Sequence, residues 1–241
     1  MRLGIIGGGR AAWTFGSTWR RIGWPLAGIA LRSEAPIARL LDVPMRTAAE
    51  LAKDSELVLV AVSDRAIGEV AASIPQTKAI IFHPSGILTS VRGGFSLHPL
   101  KALPPVGEPS DLRGALLVFE GAHRDVARRI ADAAGARFAE IDPAQKVLYH
   151  AAAVFGSNYV AALLDVADKL IGVEHARDDI AALAASAIDN WRKHADSRRF
   201  TGPAARGELE VIERHLAALR DDGQLADLYR LLAERILATR K

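Results

Sequence analysis

The sequence of 241 residues contains no cysteine, which removes disulfides, thiolate nucleophiles and cysteine-ligated zinc together. It also has little net charge: 31 Lys and Arg against 28 Asp and Glu leave +3. That excess lies in residues 1–142, with 17 basic against 14 acidic residues, whereas residues 143–241 balance at 14 each. A weak, unclustered excess argues against nucleic acid as the main partner, although a few placed arginines can still hold a phosphorylated ligand. Long hydrophobic runs are missing too. The longest purely apolar run near the middle, Leu57–Val62, is six residues and far short of a membrane span. Met1-Arg2 leads straight into a strand pattern, without the layout of a signal peptide. No His-x-x-x-His pair or acidic cluster has metal-ligand spacing, and no Gly-x-Ser-x-Gly elbow marks a serine hydrolase. What remains is 50% hydrophobic and 24% charged, the balance of a packed globular chain. The expectation is a cytoplasmic protein with no membrane, nucleic-acid or metal partner.

Glycine and proline divide the chain. Residues 1–142 hold 15 Gly and 9 Pro, against 5 Gly and 2 Pro in residues 143–241. The first part alternates strand patterns with helical ones. The strands are Leu3–Ile6, Leu26–Leu31, Leu57–Val62, Ala79–Phe82, Ala115–Phe119 and Arg137–Ile141; the helices are Ala11–Ile22, Pro36–Leu41, Ala66–Ser73 and Asp125–Ala134. This alternation predicts crossover connections and a mainly parallel sheet. Residues 83–113, irregular and rich in Pro, Gly and Ser, read as a long functional loop. The second part reads as helices. Asp142 as N-cap, Pro143 at the first helical position and Gln145 three after the cap start a helix that can run to Gly172. Further helices are expected over Ala176–His194, Glu208–Arg220 and Gln224–Ala238. The fold class is α/β: a sheet domain at 1–142 followed by an all-α domain at 143–241.

Gly7-Gly8-Gly9-Arg10-Ala11-Ala12 fits G-x-G-x-x-A between the first strand and the first helix, the context a dinucleotide-binding turn requires. Gly7 permits the tight turn, Gly9 lets the backbone approach a pyrophosphate, and Ala12 allows close helix–sheet packing. With Arg10 they form the expected cofactor-binding turn, where the helix N-terminus offers free N–H groups to phosphate. A glycine-rich turn with no ligand is the plain alternative. The second strand ends Leu31-Arg32-Ser33 with no acid before Glu34. A guanidinium and a hydroxyl suit a 2′-phosphate, so NADP is favoured over NAD, unless Arg32 is only a solvated strand-end charge. Ser63, after the third of these strands, is a further candidate for phosphate or ribose.

Four more stretches follow in order: His83-Pro84-Ser85-Gly86, Ser96-Leu97-His98-Pro99-Leu100, Tyr149-His150 through Ser157-Asn158-Tyr159, and Thr201-Gly202-Pro203-Ala204-Ala205-Arg206-Gly207. With the glycine turn, they resemble the bacterial Rossmann-like proteins that carry domain of unknown function 2520. The resemblance spans nearly the whole chain. It implies an N-terminal Rossmann domain and a helical domain that often dimerises, as in pyrroline-5-carboxylate, ketopantoate and deazaflavin-dependent NADP reductases. The family's Thr-Gly-Pro-x-x-Arg-Gly-Asp ending has Glu208 here in place of the Asp, a conservative departure.

The helix from Pro143 carries Lys146, His150, Val154 and Asn158 at four-residue steps, along one stripe. By analogy with ketopantoate and β-hydroxyacid reductases, His150 takes the proton donor's place and Asn158 that of a substrate-orienting amide. A core histidine and asparagine satisfied within a bundle is the competing reading. Lys146 is expected on a solvated face. His83 and Ser85 follow a strand at the sheet's carboxyl edge, and His98 follows the next extended stretch, so they are candidates for substrate contact. Each His-Pro alone is more often a turn. Thr201 and Arg206 before a later helix form a candidate carboxylate site, or an interhelical turn with Arg206 paired to an acid such as Glu210.

Together these features point to an NADP-dependent oxidoreductase acting on a small carbonyl or imine substrate, one bearing a carboxylate, as a homodimer. A non-catalytic NADP-binding sensor or scaffold, and a reductase with a deazaflavin partner, are the alternatives.

Overall fold

Leu3–Ile6 (β1) and Leu57–Val60 (β3) are buried at every position, as uninterrupted apolar strands must be when helices cover both faces of a sheet. The computed structural model describes residues 1–33 and 36–240. Its first unit, Met1–Asn158, is built on a seven-stranded sheet in the order β2-β1-β3-β4-β5-β6-β7. The other strands are Leu26–Ala30 (β2), Ile80–His83 (β4), Phe95–Leu100 (β5), Leu116–Gly121 (β6) and Arg137–Glu140 (β7). All neighbours pair parallel except β5 and β6, which run antiparallel. The expected α/β architecture is therefore present.

The helices between its strands are α1 (Arg10–Arg21), α2 (Ile37–Leu41), α3 (Ala48–Asp54), α4 (Asp64–Ser73) and α5 (Arg124–Ala134). One core surrounds Phe15, Trp19, Phe82, Phe95 and Phe119. The Phe82 and Phe95 rings stack at 4.9 Å, with Phe15 edge-on to Phe82. A second core, including Leu51, Val58, Val60 and Ile67, lies under α3 and α4.

Two elements differ from the sequence expectation in this unit. Residues 83–113 are not one loop, because Phe95–Leu100 forms β5 within them. Pro99 disguises the strand, yet it lies beyond Ser96, the last residue paired with β4, where a missing N–H is tolerated. Helix α3 was also unanticipated, although Thr47 and Glu50 cap it reciprocally: Thr47 Oγ1 accepts from Glu50 N–H, and Glu50 Oε2 accepts from Thr47 N–H at 2.8 Å.

The helix expected from Pro143 starts as read, with Asp142 accepting from Ala144 N–H at 2.8 Å and a 3₁₀ turn over Pro143–Gln145. It then continues as α6 (Lys146–Phe155), a turn at Gly156-Ser157, and α7 (Asn158–Leu170). Glycine weakens the helix there, and the Ser157 hydroxyl donates to the Ala153 carbonyl at 2.6 Å. Within Pro143–Leu170 an 18-residue window has a mean hydropathy of 1.4, so the stretch is long and apolar enough to cross a membrane by length and composition alone. The compact units divide after Asn158, whereas composition changes at 142/143, because α6 packs on the sheet.

The second unit, Tyr159–Lys241, contains the rest of α7 with α8 (Arg177–Lys193), α9 (Pro203–Arg206), α10 (Leu209–Ala218) and α11 (Gly223–Leu237). Its buried cluster is small, formed by Ala204, Ile212 and Ala233 with partly buried neighbours such as Leu216 and Tyr229. Large apolar side chains remain exposed, among them Leu183 (70%), Trp191 (65%) and Leu231 (64%).

Candidate functional site

Strand order reverses between β2 and β3 on either side of β1, and open α/β sheets bind ligands outside the carboxyl ends of strands at such a switch point. The glycine turn stands there. Gly7 has φ +115°, and a Cβ on it would lie 2.2 Å from the Ala61 carbonyl oxygen, so only glycine fits. Gly9 is the opposite case, since a Cβ there would meet nothing within 4 Å. Gly9 N-caps α1 with no side-chain hydrogen bond and leaves the helix N–H groups open.

This turn borders a cleft of about 670 Å³. Gly7, Gly9, Arg10, Arg32, Ser33 and Ser63 all line it, so six of the seven expected cofactor residues are brought together. The seventh, Ala12, is fully buried against the sheet, the packing role expected of it. Arg32 and Ser33 are exposed, and Ser63 N-caps α4 without a side-chain bond, leaving its hydroxyl to face the cleft. Glu34 and Ala35 lie outside the described residues. The cleft fits a dinucleotide: glycine where backbone must be close, open helix N–H groups and a guanidinium at its rim.

A second group of polar side chains lies where α6 packs on β5 and β6. His98 Nδ1 and the Tyr149 hydroxyl share a 2.6 Å hydrogen bond. The His98 and His150 rings are 6.1 Å apart and nearly perpendicular. Both border Gly86, where a Cβ would come 2.7 Å from His150 Cδ2 and 3.0 Å from His98 Nε2. Burial, then the neighbouring His150 and Lys146, push the His98 pKa down to about 4. Burial pushes Tyr149 up to about 12. At neutral pH His98 is uncharged and Tyr149 keeps its proton.

His83 and Ser85 are sealed from solvent, and their polar atoms hold the loop after β4. His83 Nε2–H donates to the Thr89 carbonyl at 2.9 Å, and Nδ1 accepts from Ser85 N–H at 3.3 Å. The Ser85 hydroxyl accepts from the backbone of Ile87 and Leu88. Burial depresses the His83 pKa. Lys146 overturns the expectation of a solvated face, being 1% exposed. Its ammonium donates to Ser96 Oγ at 2.5 Å and lies 3.9 Å from Glu120 Oε2. Burial pulls its pKa down against the pull of Glu120 and Asp64. The four-residue spacing of the stripe was the signal; only the packed sheet shows which way it faces.

The stripe does not continue unbroken to Asn158, which lies past the Gly156-Ser157 turn and is exposed, its side-chain amide 3.0 Å from the Ser157 oxygen. In the second unit, Thr201 is exposed and Gly202 (φ +88°) leads into the short α9. Arg206 grips Glu208 through two bonds, Nε–Oε1 at 2.6 Å and Nη2–Oε2 at 2.9 Å. Its partner is thus Glu208 rather than Glu210. That contact raises the pKa of Arg206 and lowers that of Glu208.

Comparison with known proteins agrees with this arrangement. A Rossmann-like domain model matches residues 1–108, and the model for domain of unknown function DUF2520 matches residues 117–236. The chain is a Rossmann-like/DUF2520 protein. No curated protein sequence matches it. Among solved structures, an NADP oxidoreductase of Bacteroides fragilis, so named provisionally, is 23% identical with a TM-score of 0.82, covering 98% of both chains. Protein TM1727 of Thermotoga maritima is 25% identical with a TM-score of 0.75, covering 99% of this chain and 98% of the other. A pyrroline carboxylate reductase of Plasmodium falciparum with NADP bound is 12% identical with a TM-score of 0.61, over 100% and 98% of the two chains. These structures share the fold of this Rossmann-like/DUF2520 chain.

Proposed function

We propose that this Rossmann-like/DUF2520 protein is an NADP-dependent oxidoreductase that reduces a small carbonyl or imine substrate bearing a carboxylate. The observation that carries the reading is the single cleft that joins the Gly7–Gly9 turn to Arg32 and Ser33. Arg32 and Ser33 would take the 2′-phosphate, while Arg10, Ser63 and the α1 N-terminus would take the pyrophosphate and ribose. When bound, the reduced dinucleotide supplies the hydride.

The chain's own part is to orient the acceptor and deliver a proton to the oxygen or nitrogen that takes up negative charge. His150 is the proposed donor, with His98 beside it as the alternative. His83 and Ser85 support this end of the sheet through the loop rather than touching substrate. Asn158 orients the substrate in this proposal. Arg206 anchors its carboxylate only by releasing Glu208. The exposed apolar side chains of α8 and α11 support a homodimer formed through the helical unit.

Fluorescence titration with NADPH and NADH, followed by NADPH oxidation over a panel of keto acids and cyclic imino acids, tests the reading. NADPH should bind more tightly than NADH. His150→Ala should lower turnover by about 10²–10⁴-fold with NADPH affinity intact. Failure of the folded chain to bind either dinucleotide would end the proposal.

A further inference from the structure

Lysine is almost never fully buried unless its charge is paired, yet Lys146 is as buried as the phenylalanines of the sheet core. Its partners come from three separate elements: Ser96 Oγ on β5, Glu120 on β6, and the Ser85 carbonyl after β4 at 3.5 Å. Glu120 is itself anchored, accepting from Ser90 N–H at 2.7 Å and from the Ser90 hydroxyl at 3.0 Å. Ser96 and Glu120 are directly paired across β5 and β6, so they present one small polar platform on a single sheet face. Lys146 is the first residue of α6, and Tyr149 and His150 follow it by three and four positions on the same side of the helix.

We propose that Lys146 is a positioning residue: seated on Ser96 and Glu120, it sets the register of α6 so that Tyr149 donates to His98 and the His98 and His150 rings close over Gly86. The inference rests on reading this cluster as the reacting end of the proposed oxidoreductase. An apolar residue at 146 would bury more cheaply, but it would let α6 slide or rotate. A buried charge with fixed partners defines one register. With the phenol O–H donating to His98 Nδ1, the remaining His98 proton must sit on Nε2, the atom nearest Gly86. The ammonium also disfavours a positive charge on His98, which keeps Nδ1 free to accept. The titratable and charged groups around this position are Lys146, Tyr149 and His150 on α6, Glu120 on β6, His83 on β4 and Asp64 on α4.

The test uses the full-length, ¹⁵N-labelled protein and long-range ¹H–¹⁵N spectra of the imidazoles, with His98 assigned by His98→Gln. It needs no substrate. In the wild type, His98 should show a single Nε2–H tautomer through neutral pH. In the charge-balanced double variant Lys146→Met/Glu120→Gln, the tautomer should become mixed. The His98 titration midpoint should rise by roughly half a pH unit or more. NADPH affinity and cooperative unfolding should be retained. Should the double variant fail to fold, Ser96→Ala, which removes one acceptor and leaves both charges, should move the same signals in the same direction. A folded variant of either kind with His98 tautomer and titration unchanged would overturn the proposal. Loss of NADPH binding by the wild type would instead remove the oxidoreductase reading, and the spectra would still decide the role of Lys146.

Discussion

The two units of this protein bury themselves to very different degrees. In the sheet unit, Phe15, Phe82, Phe95, Leu97 and Leu117 are entirely covered, and even charged Lys146 and Glu120 are drawn inside. In the helical unit the buried cluster is two alanines and one isoleucine, while Leu183, Ile188, Trp191 and Leu231 face outward. A sheet sandwiched between helix layers closes its own core. Helices of this length with apolar residues on more than one side do not, and need a further surface. Both units carry exposed ion pairs, such as Arg124–Glu140 in the sheet unit and Arg206–Glu208 in the helical one, but the sheet unit also holds the shielded pair Lys146–Glu120.

Phe82→Ala probes the largest difference. Phe82 has no exposed surface and packs against Phe15 and Phe95, so its truncation should cost about 3–5 kcal/mol in denaturant unfolding. A loss under about 1 kcal/mol would mean that the core is less closed than it looks. Arg32→Ala asks how much the rim of the same unit contributes. It should weaken NADPH binding by about 1.5–3 kcal/mol and leave NADH nearly unchanged; equal losses for both would remove Arg32 from the 2′-phosphate.

A pH series addresses the shielded imidazoles. The folded pKa of His98 lies near 4, below its ordinary value, so the unfolded chain binds the extra proton first as pH falls. Stability should therefore hold above about pH 6.5 and fall toward pH 4, with His98 contributing a loss of about 2 kcal/mol by pH 5. His83 shifts in the same direction and adds to the fall. His98→Gln should flatten the curve over that window. The smallest effect is expected at Leu231, where Ala should cost less than about 0.5 kcal/mol in an isolated chain. A larger cost that grows with protein concentration, together with a light-scattering mass near twice 25.8 kDa, would show that a second copy covers the helical unit. Trp191→Asp should then halve that mass.

Much of the sheet unit was legible because its signals are local. Glycine at 7 and 9 between a strand and a helix, alternating strands and helices, and Asp142-Pro143 at a helix start each depend on nearby backbone geometry. The missed β5 and α3 were hidden differently. Pro99 argues against a strand unless one knows that pairing with β4 stops at Ser96, whereas the Thr47–Glu50 box is a local signal ahead of a helix of only seven residues.

The amino-acid sequence alone determined the α/β class, the glycine turn, the Arg32-Ser33 strand end and the helical character of the second part. All of these are set by spacing along the chain. Tertiary structure alone decided that Lys146 points inward and that Tyr149 meets His98. The reason is physical. A helical period says which residues share a face, but which face is buried depends on partners far away in sequence, here Ser96 and Glu120 opposite one another on β5 and β6.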